Sequence, residues 1–326
     1  MNRETKAEQS TKSHISIELD KSDVTAGETL RGKVVLVTGH DIPARGVRLE
    51  LKGHESSIRH SGMGRSMNQM RETAVWFEDE LTLFGHARTE VGSVLVDAVK
   101  GVFARDRYPI IERGEYTYDF HYQLPDTLPG NYESPKGDVA IRYELRAYVD
   151  IPLRVDIETT QKLTVYETTS HADDAAPADL VDDHRCLVPS GGHVLLKAHL
   201  DRHAYKLGED IAVNVDLDNQ CTQLVDGLEL ALELTETVMV HGEAETRHEL
   251  IAVETFDRCK AAPKEAESYE LKYSISPELY PTVDQGKLVK VSYALHVQAV
   301  VDLTVDPQID IPIYLYEQPG QPGGQA

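Results

Sequence analysis

The sequence predicts an all-β protein of two tandem antiparallel β-sandwich domains, with one short helix in the first. Three observations carry this. The chain has 326 residues, enough for two cores at roughly 150 residues per domain. Apolar and polar residues alternate with a period of two in many segments, which puts one strand face in a core and the other in water. One half of the chain also repeats the other, so the two domains are copies of one unit.

The repeat opens without a gap. Leu19-Asp20-Lys21 recurs as Leu200-Asp201-Arg202, and Gly27-Glu28 as Gly208-Glu209, each 181 residues later. The same offset carries Leu30 to Ile211, Val34 to Val215, Leu36 to Leu217 and Gly46 to Gly227. It also carries Val47, Leu49 and Leu51 to Leu228, Leu230 and Leu232. Further on, Tyr143 and Leu145 answer to Tyr293 and Leu295, and Leu163, Val165, Tyr166 and Glu167 to Ile313, Leu315, Tyr316 and Glu317, at an offset of 150. The first copy therefore carries 181 − 150 = 31 extra residues between Leu51 and Tyr143.

In the first copy the strands are centred on Ile15/Ile17/Leu19, Val47/Leu49/Leu51, Tyr116/Tyr118/Phe120/Tyr122 and Tyr143/Leu145/Ala147/Val149. In the second they are centred on Val213/Val215/Leu217, Leu228/Leu230/Leu232/Leu234, Tyr269/Leu271/Tyr273/Ile275 and Ile309/Ile311/Ile313/Leu315. Gly27-Glu28 and Gly208-Glu209 fall between strands, where glycine admits the positive φ of a turn. Two prolines in Leu124–Gly130 break the ladder and predict an ordered loop or crossover. One stretch has a different period: Val91, Val94, Leu95, Ala98, Val99, Val102 and Phe103 recur as one face of a helix of about three turns. That helix is expected to lie on the sandwich and cover a sheet face.

The domain plan is a polar, disordered 1–13, a first domain over 14–167, a linker over 168–192, a second domain over 193–317 and a disordered tail over 318–326. Within the linker a strand-like piece is expected around Arg185–Val188.

Composition narrows the function. The net charge is −22 and hydrophobic residues make up 40%, which argues against a nucleic-acid binder and against a mostly disordered chain. The charge is uneven: residues 1–167 hold 22 basic and 27 acidic side chains, while 168–326 hold 11 and 28. An anionic ligand or membrane surface, if met at all, is expected at the first half. No apolar run approaches the ~20 residues of a membrane span, and Met1–Ser13 has no signal core, so the expectation is a soluble, cytoplasmic protein. Cys186, Cys221 and Cys259 are too few and too scattered for a disulfide framework or zinc ribbon and read as ordinary reduced thiols.

Catalytic signatures such as HExxH, GxSxG or a P-loop are missing. His193, His199 and His203 share a polar strand face, but His199 and His203 would stand roughly 13 Å apart at about 3.3 Å per residue, too far for one metal. His171, Asp173, Asp182 and His184 in the linker read as solvated groups. No cofactor and no metal are expected.

The segments Tyr116–Glu133 (YTYDFHYQLPDTLPGNYE) and Val139–Asp150 (VAIRYELRAYVD) resemble the arrestin amino domain, especially its α-arrestin branch. His199–Asn219 and Val291–Val297 resemble the arrestin carboxy domain, and the likeness covers about residues 14–317. It implies immunoglobulin-like, arrestin-type sandwiches and a non-catalytic adaptor that binds cytoplasmic segments of membrane proteins. The helix at Val91–Ala104 is similar to the single helix of some arrestins. The sequence departs from the family at several points. His14–Leu19 has no lysine pair to sense phosphate, and no arginine stands near Thr159–Lys162 to enter a buried charge cluster. The loop Tyr280–Gly286 is short, and no PPxY motif is present to recruit a ubiquitin ligase.

Part of the extra length is His54–Ala74, read as a long loop between strands and similar in position to the arrestin finger loop. Arg59, Arg65 and Arg71 stand there with Met63, Met67 and Met70. Methionine adapts to irregular apolar surfaces and arginine grips carboxylates and phosphates, so these six are the candidate partner-binding residues. The reading is a cytoplasmic adaptor or scaffold in trafficking or signalling, its partners cytoplasmic segments of membrane-associated proteins. Peripheral contact with an anionic membrane through the first domain belongs to the same reading. The alternatives are a constitutive subunit of a protein complex, retromer-like or of bacterial sporulation-control type, and a metal- or thiol-dependent enzyme.

Overall fold

The computed structural model describes residues 12–61, 68–85, 108–168, 180–187, 191–301 and 306–317. Among them every helix-or-strand element is a strand, so the fold is all-β, as expected. The helix expected at Val91–Ala104 lies outside the described residues, as do the chain ends 1–11 and 318–326.

The first copy supplies β1 (His14–Leu19), β2 (Asp23–Thr25), β3 (Thr29–Thr38), β4 (Ile42–Pro43), β5 (Gly46–Ser61) and β6 (Asn68–Gly85). It continues with β7 (Ile110–Ile111), β8 (Gly114–Gln123), β9 (Tyr132–Glu133), β10 (Val139–Asp150) and β11 (Ile157–Tyr166). The strand piece expected around Arg185–Val188 runs from Leu180 to Leu187 as β12. The second copy follows with β13 (His193–Leu200), β14 (Ala204–Lys206), β15 (Asp210–Asn219), β16 (Val225–Val240), β17 (Glu243–Phe256), β18 (Glu265–Ser274), β19 (Val289–Val301) and β20 (Gln308–Tyr316).

The sheets repeat as the sequence does. One sheet has the order β1-β3-β8 and its counterpart β12-β13-β15-β18; the other has β2-β11-β10-β5-β6 and its counterpart β14-β20-β19-β16-β17. The offset of 181 carries β2 onto β14 and β3 onto β15 residue for residue. Even the turn is copied. Gly27 and Gly208 take φ of 79° and 83°, and the following glutamates accept the backbone amides of Thr25 and Lys206, both at 3.0 Å. A side-chain acceptor thus closes each tight turn from the outside.

Alternation decides which face is buried. Leu30, Val34 and Leu36 of β3 and Val213, Val215 and Leu217 of β15 are at most 1% exposed. In the first copy the two sheets meet through aromatic rings: Phe77 on β6 and Tyr122 on β8 lie 5.7 Å apart, and Phe84 and Tyr118 6.5 Å. Gly53 on β5 is required there, since a Cβ would sit 2.7 Å from the rings of Phe77 and Tyr143. In the second copy Tyr273 on β18 donates its hydroxyl to the carbonyl of Ala252 on β17 at 2.8 Å.

The chain divides into two compact units. One holds Met1–His54, Ala74–Thr127 and Ile141–Val165; the other holds Glu55–Thr73, Leu128–Ala140 and Tyr166–Ala326. The second unit thus includes the far ends of β5 and β6 and the segment around β9.

Candidate functional site

A strand edge comes first. In the first unit β1 pairs antiparallel with β3 from His14↔Val37 to Leu19↔Gly32 and is the outer strand of its sheet among the described residues. In the second unit the equivalent strand, β13, is not an edge. β12 pairs with it antiparallel, from Leu180↔Leu200 to Leu187↔His193. The second copy therefore carries, in its own chain, a strand at the position that no described strand fills beside β1. An edge of this kind presents a row of backbone donors and acceptors that an extended segment can complete. Along β1, His14, Ser16 and Glu18 alternate with the inward Ile15 and Ile17, and no lysine stands among them. Recognition at this edge would rest on backbone pairing.

The six residues expected to bind a partner are divided by the structure. His54–Ala74 is not one long loop: β5 continues to Ser61 and β6 begins at Asn68. Polar hydrogen bonding within the second unit extends the strand beyond the apolar alternation. Glu55 is 0% exposed and accepts the backbone amides of Lys287 at 3.0 Å and Leu288 at 2.6 Å. Ser57, also fully buried, donates to the carbonyl of Met239 at 2.9 Å. Arg59 is engaged as well, with Nη1 2.6 Å from Glu243 and Nε 3.6 Å from Glu245. Met70 is 41% exposed and Arg71 is exposed. Met63, Arg65 and Met67 lie outside the described residues.

Beside this hairpin the second unit holds an ionic network that residue types alone did not reveal. Arg247 Nη1 lies 2.8 Å from Asp138 and 3.1 Å from Glu236, and its Nε 2.8 Å from Glu245. Tyr132 donates to Glu236 at 2.8 Å, and Ser134 to Asp138 at 2.7 Å. Burial opposes the charge of Arg247, yet its hydrogen bonds to Glu245 and Asp138 outweigh that and raise its pKa. Burial likewise opposes ionised Asp138, but bonds from Ser134 and Arg247 hold its pKa below the ordinary value. Two arginines, Arg59 and Arg247, thus face four carboxylates, those of Asp138, Glu236, Glu243 and Glu245. The network ties Asp138, from the chain just before β10, to β16 and β17.

A second acidic group was also missed. It is Glu167, which directly follows β11. Burial and the nearby Asp284 push its carboxyl up to about 7, against backbone hydrogen bonds at Asp284, Gln285 and Gly130. Its only sequence signal was its recurrence as Glu317. Of the thiols, Cys221 is buried with Sγ 2.7 Å from Asn219 Oδ1, and burial pushes the Cys259 thiol up. Among the described residues no three His, Cys, Asp or Glu side chains gather as ligands for an ion. No helix there is long and apolar enough to cross a membrane.

A duplicated pair of β-sandwich modules, with a sheet edge unfilled among the described residues of one and filled from within the chain in the other, defines a scaffold of the arrestin type. Residues 15–172 match the family model described as Arrestin (or S-antigen), N-terminal domain, and residues 190–320 match its C-terminal domain counterpart. The chain belongs to the arrestin family. It is similar to Arrestin domain-containing protein A of Dictyostelium discoideum, at 21% identity over 96% of this chain and 54% of that protein. Arrestin domain-containing protein 17 of Caenorhabditis elegans is 22% identical over 86% of this chain and 65% of its own length. Arrestin domain-containing protein 4 of Homo sapiens is 22% identical over 90% and 68%. The chain thus spans between about half and two thirds of the length of these relatives. Proteins of this family are in general non-catalytic adaptors that bind protein partners, and membership supports an adaptor or scaffold role.

Proposed function

We propose that the chain is a non-catalytic cytoplasmic adaptor that binds extended cytoplasmic segments of membrane-associated proteins, in trafficking or signalling, with its first domain toward an anionic membrane. The segment adds as a strand beside β1, and the exposed residues of the β5–β6 hairpin make a separate contact with the partner. The observation that carries this reading is β12: the same sheet, in the second copy, already holds an added antiparallel strand. At the hairpin, Met70 and Arg71 are exposed and Met63, Arg65 and Met67 are their neighbours in sequence. Arg59 acts there as a support, since it is paired with Glu243.

The test uses an array of synthetic peptides from membrane-protein cytoplasmic tails. Excising the whole segment from Ser57 would remove the buried Ser57–Met239 bond, so the variants are a deletion of residues 62–67 and Arg71→Glu with Met70→Ser. Both should keep the thermal unfolding of the parent and weaken its tightest peptides. Binding unchanged in both folded variants would remove the hairpin from the account.

A further inference from the structure

The connection between β10 and β11 has a construction that folding does not explain. Leu153 is 95% and Val155 91% exposed, with Arg154 exposed between them. Single exposed aliphatics are ordinary, but Leu153 also has φ 57°. The left-handed region costs a branched side chain about 1 kcal/mol that glycine would not incur. Leu153 thus combines a left-handed backbone with a side chain almost wholly in water.

The turn beneath it is firmly built. Asp156 Oδ1 accepts the backbone amide of Ile151 at 2.9 Å, and Ile151 itself is 9% exposed. The second copy closes the same connection in the same way, with Asp306 Oδ1 accepting the amide of Val301 at 2.9 Å. The sequences agree there too: Leu153, Val155 and Asp156 recur as Leu303, Val305 and Asp306 at the offset of 150.

Other exposed apolar residues gather at this end of the first unit, around Ala44 and Arg45. The amide of Ala44 donates to Pro109 at 3.0 Å and that of Arg45 to Asp150 at 2.8 Å. A Cβ on Gly85 would lie 2.3 Å from the carbonyl of Arg45. Ile110, 62% exposed, and Phe84, 37% exposed, each adjoin one of these contacts. Arg45 adds a cation over the Tyr108 ring, 5.6 Å from its centroid, and pairs with Asp150 at 2.9 Å.

We propose that this end of the first unit docks on an anionic lipid surface. Leu153 and Val155 enter the interfacial region, and Arg154 meets headgroup phosphates. An exposed turn with aliphatic residues on both sides of a cation suits a soft apolar layer beneath a charged one, where a long basic side chain reaches back to the headgroups. The inference rests on the membrane-facing part of the function proposed above, and vesicles without any peptide test it separately from strand addition.

The experiment measures sedimentation of the full chain with phosphatidylcholine vesicles, with and without phosphatidylserine. The parent should partition more strongly onto the phosphatidylserine vesicles. Leu153→Ser with Val155→Ser should lose about tenfold or more of that partition, while Arg154→Glu should lose the preference for phosphatidylserine. All three should keep the parent's thermal unfolding, because these side chains are already in water. Leu153→Trp should show emission shifted to the blue on adding vesicles, beyond any change in the parent, whose one tryptophan is Trp76. A parent that ignores both vesicles, or a double variant that partitions as the parent does, overturns the proposal. So does a double variant that loses only peptide binding, which would make the tip a protein contact.

Discussion

Glu55 accepts the backbone amide of Leu288 at 2.6 Å, and its carboxylate is fully shut off from water. Lys287 donates to the same side chain at 3.0 Å, so one carboxylate satisfies two backbone donors of the chain leading into β19. Glu55→Ala should therefore destabilise the second unit by about 2–4 kcal/mol, the cost of leaving buried donors unmet. Denaturant unfolding checks this, and Glu55→Gln should recover only part of the loss because one side of the amide cannot accept.

Arg247 holds Asp138, Glu236 and Glu245 together. Arg247→Met should cost roughly 2–3 kcal/mol, since removing one partner strands charge that is partly out of water. The acid side follows from Asp138. Its pKa lies below the ordinary 3.8, so its contribution is complete above that value and is lost as pH falls through the folded pKa. Unfolding measured from pH 6 downward should show this loss in the parent and a smaller one in Arg247→Met.

Glu167 predicts the opposite slope. Its folded pKa of about 7 exceeds the ordinary 4.5, so the folded chain binds more protons between those values than the unfolded chain does. Stability from this group is complete below 4.5 and is lost as pH rises through 7, on the order of 2 kcal/mol at a half-buried site. Glu167→Gln should flatten that fall and be the more stable protein at pH 8. An unchanged slope between pH 5 and 8 would show that Glu167 stays ionised.

Leu153 gives a test of a different kind. A leucine removed from a core costs several kcal/mol, but Leu153→Gly should change stability by no more than about 1 kcal/mol and in the favourable direction if the strain outweighs the added freedom of the unfolded chain. Thermal unfolding decides it.

The fold was legible because its signals are local and doubled. Gly27-Glu28 and Gly208-Glu209 mark one turn twice, and the alternation through Leu30, Val34 and Leu36 sets the face of β3 and, by repetition, of β15. The candidate site was only partly legible. Arg59 and Arg71 look alike as residue types, yet Arg59 is paired with Glu243, far along the chain, while Arg71 is exposed. Glu55-Ser56-Ser57 has the composition of a loop, but its buried groups are satisfied by partners on remote strands, and no periodicity reports that. Leu153 and Val155 carry no signal in the sequence that sets them apart, because exposure and φ are properties of the folded backbone.

Residue-resolved hydrogen exchange across His14–Leu19, with and without the tightest tail peptide, tests the central claim most directly. An added strand must pair with the outward amides of β1, so alternate residues there should exchange fast in the free protein and slow on binding, with the amides facing β3 unchanged. Protection that appears elsewhere and leaves β1 as it was would contradict strand addition at this edge.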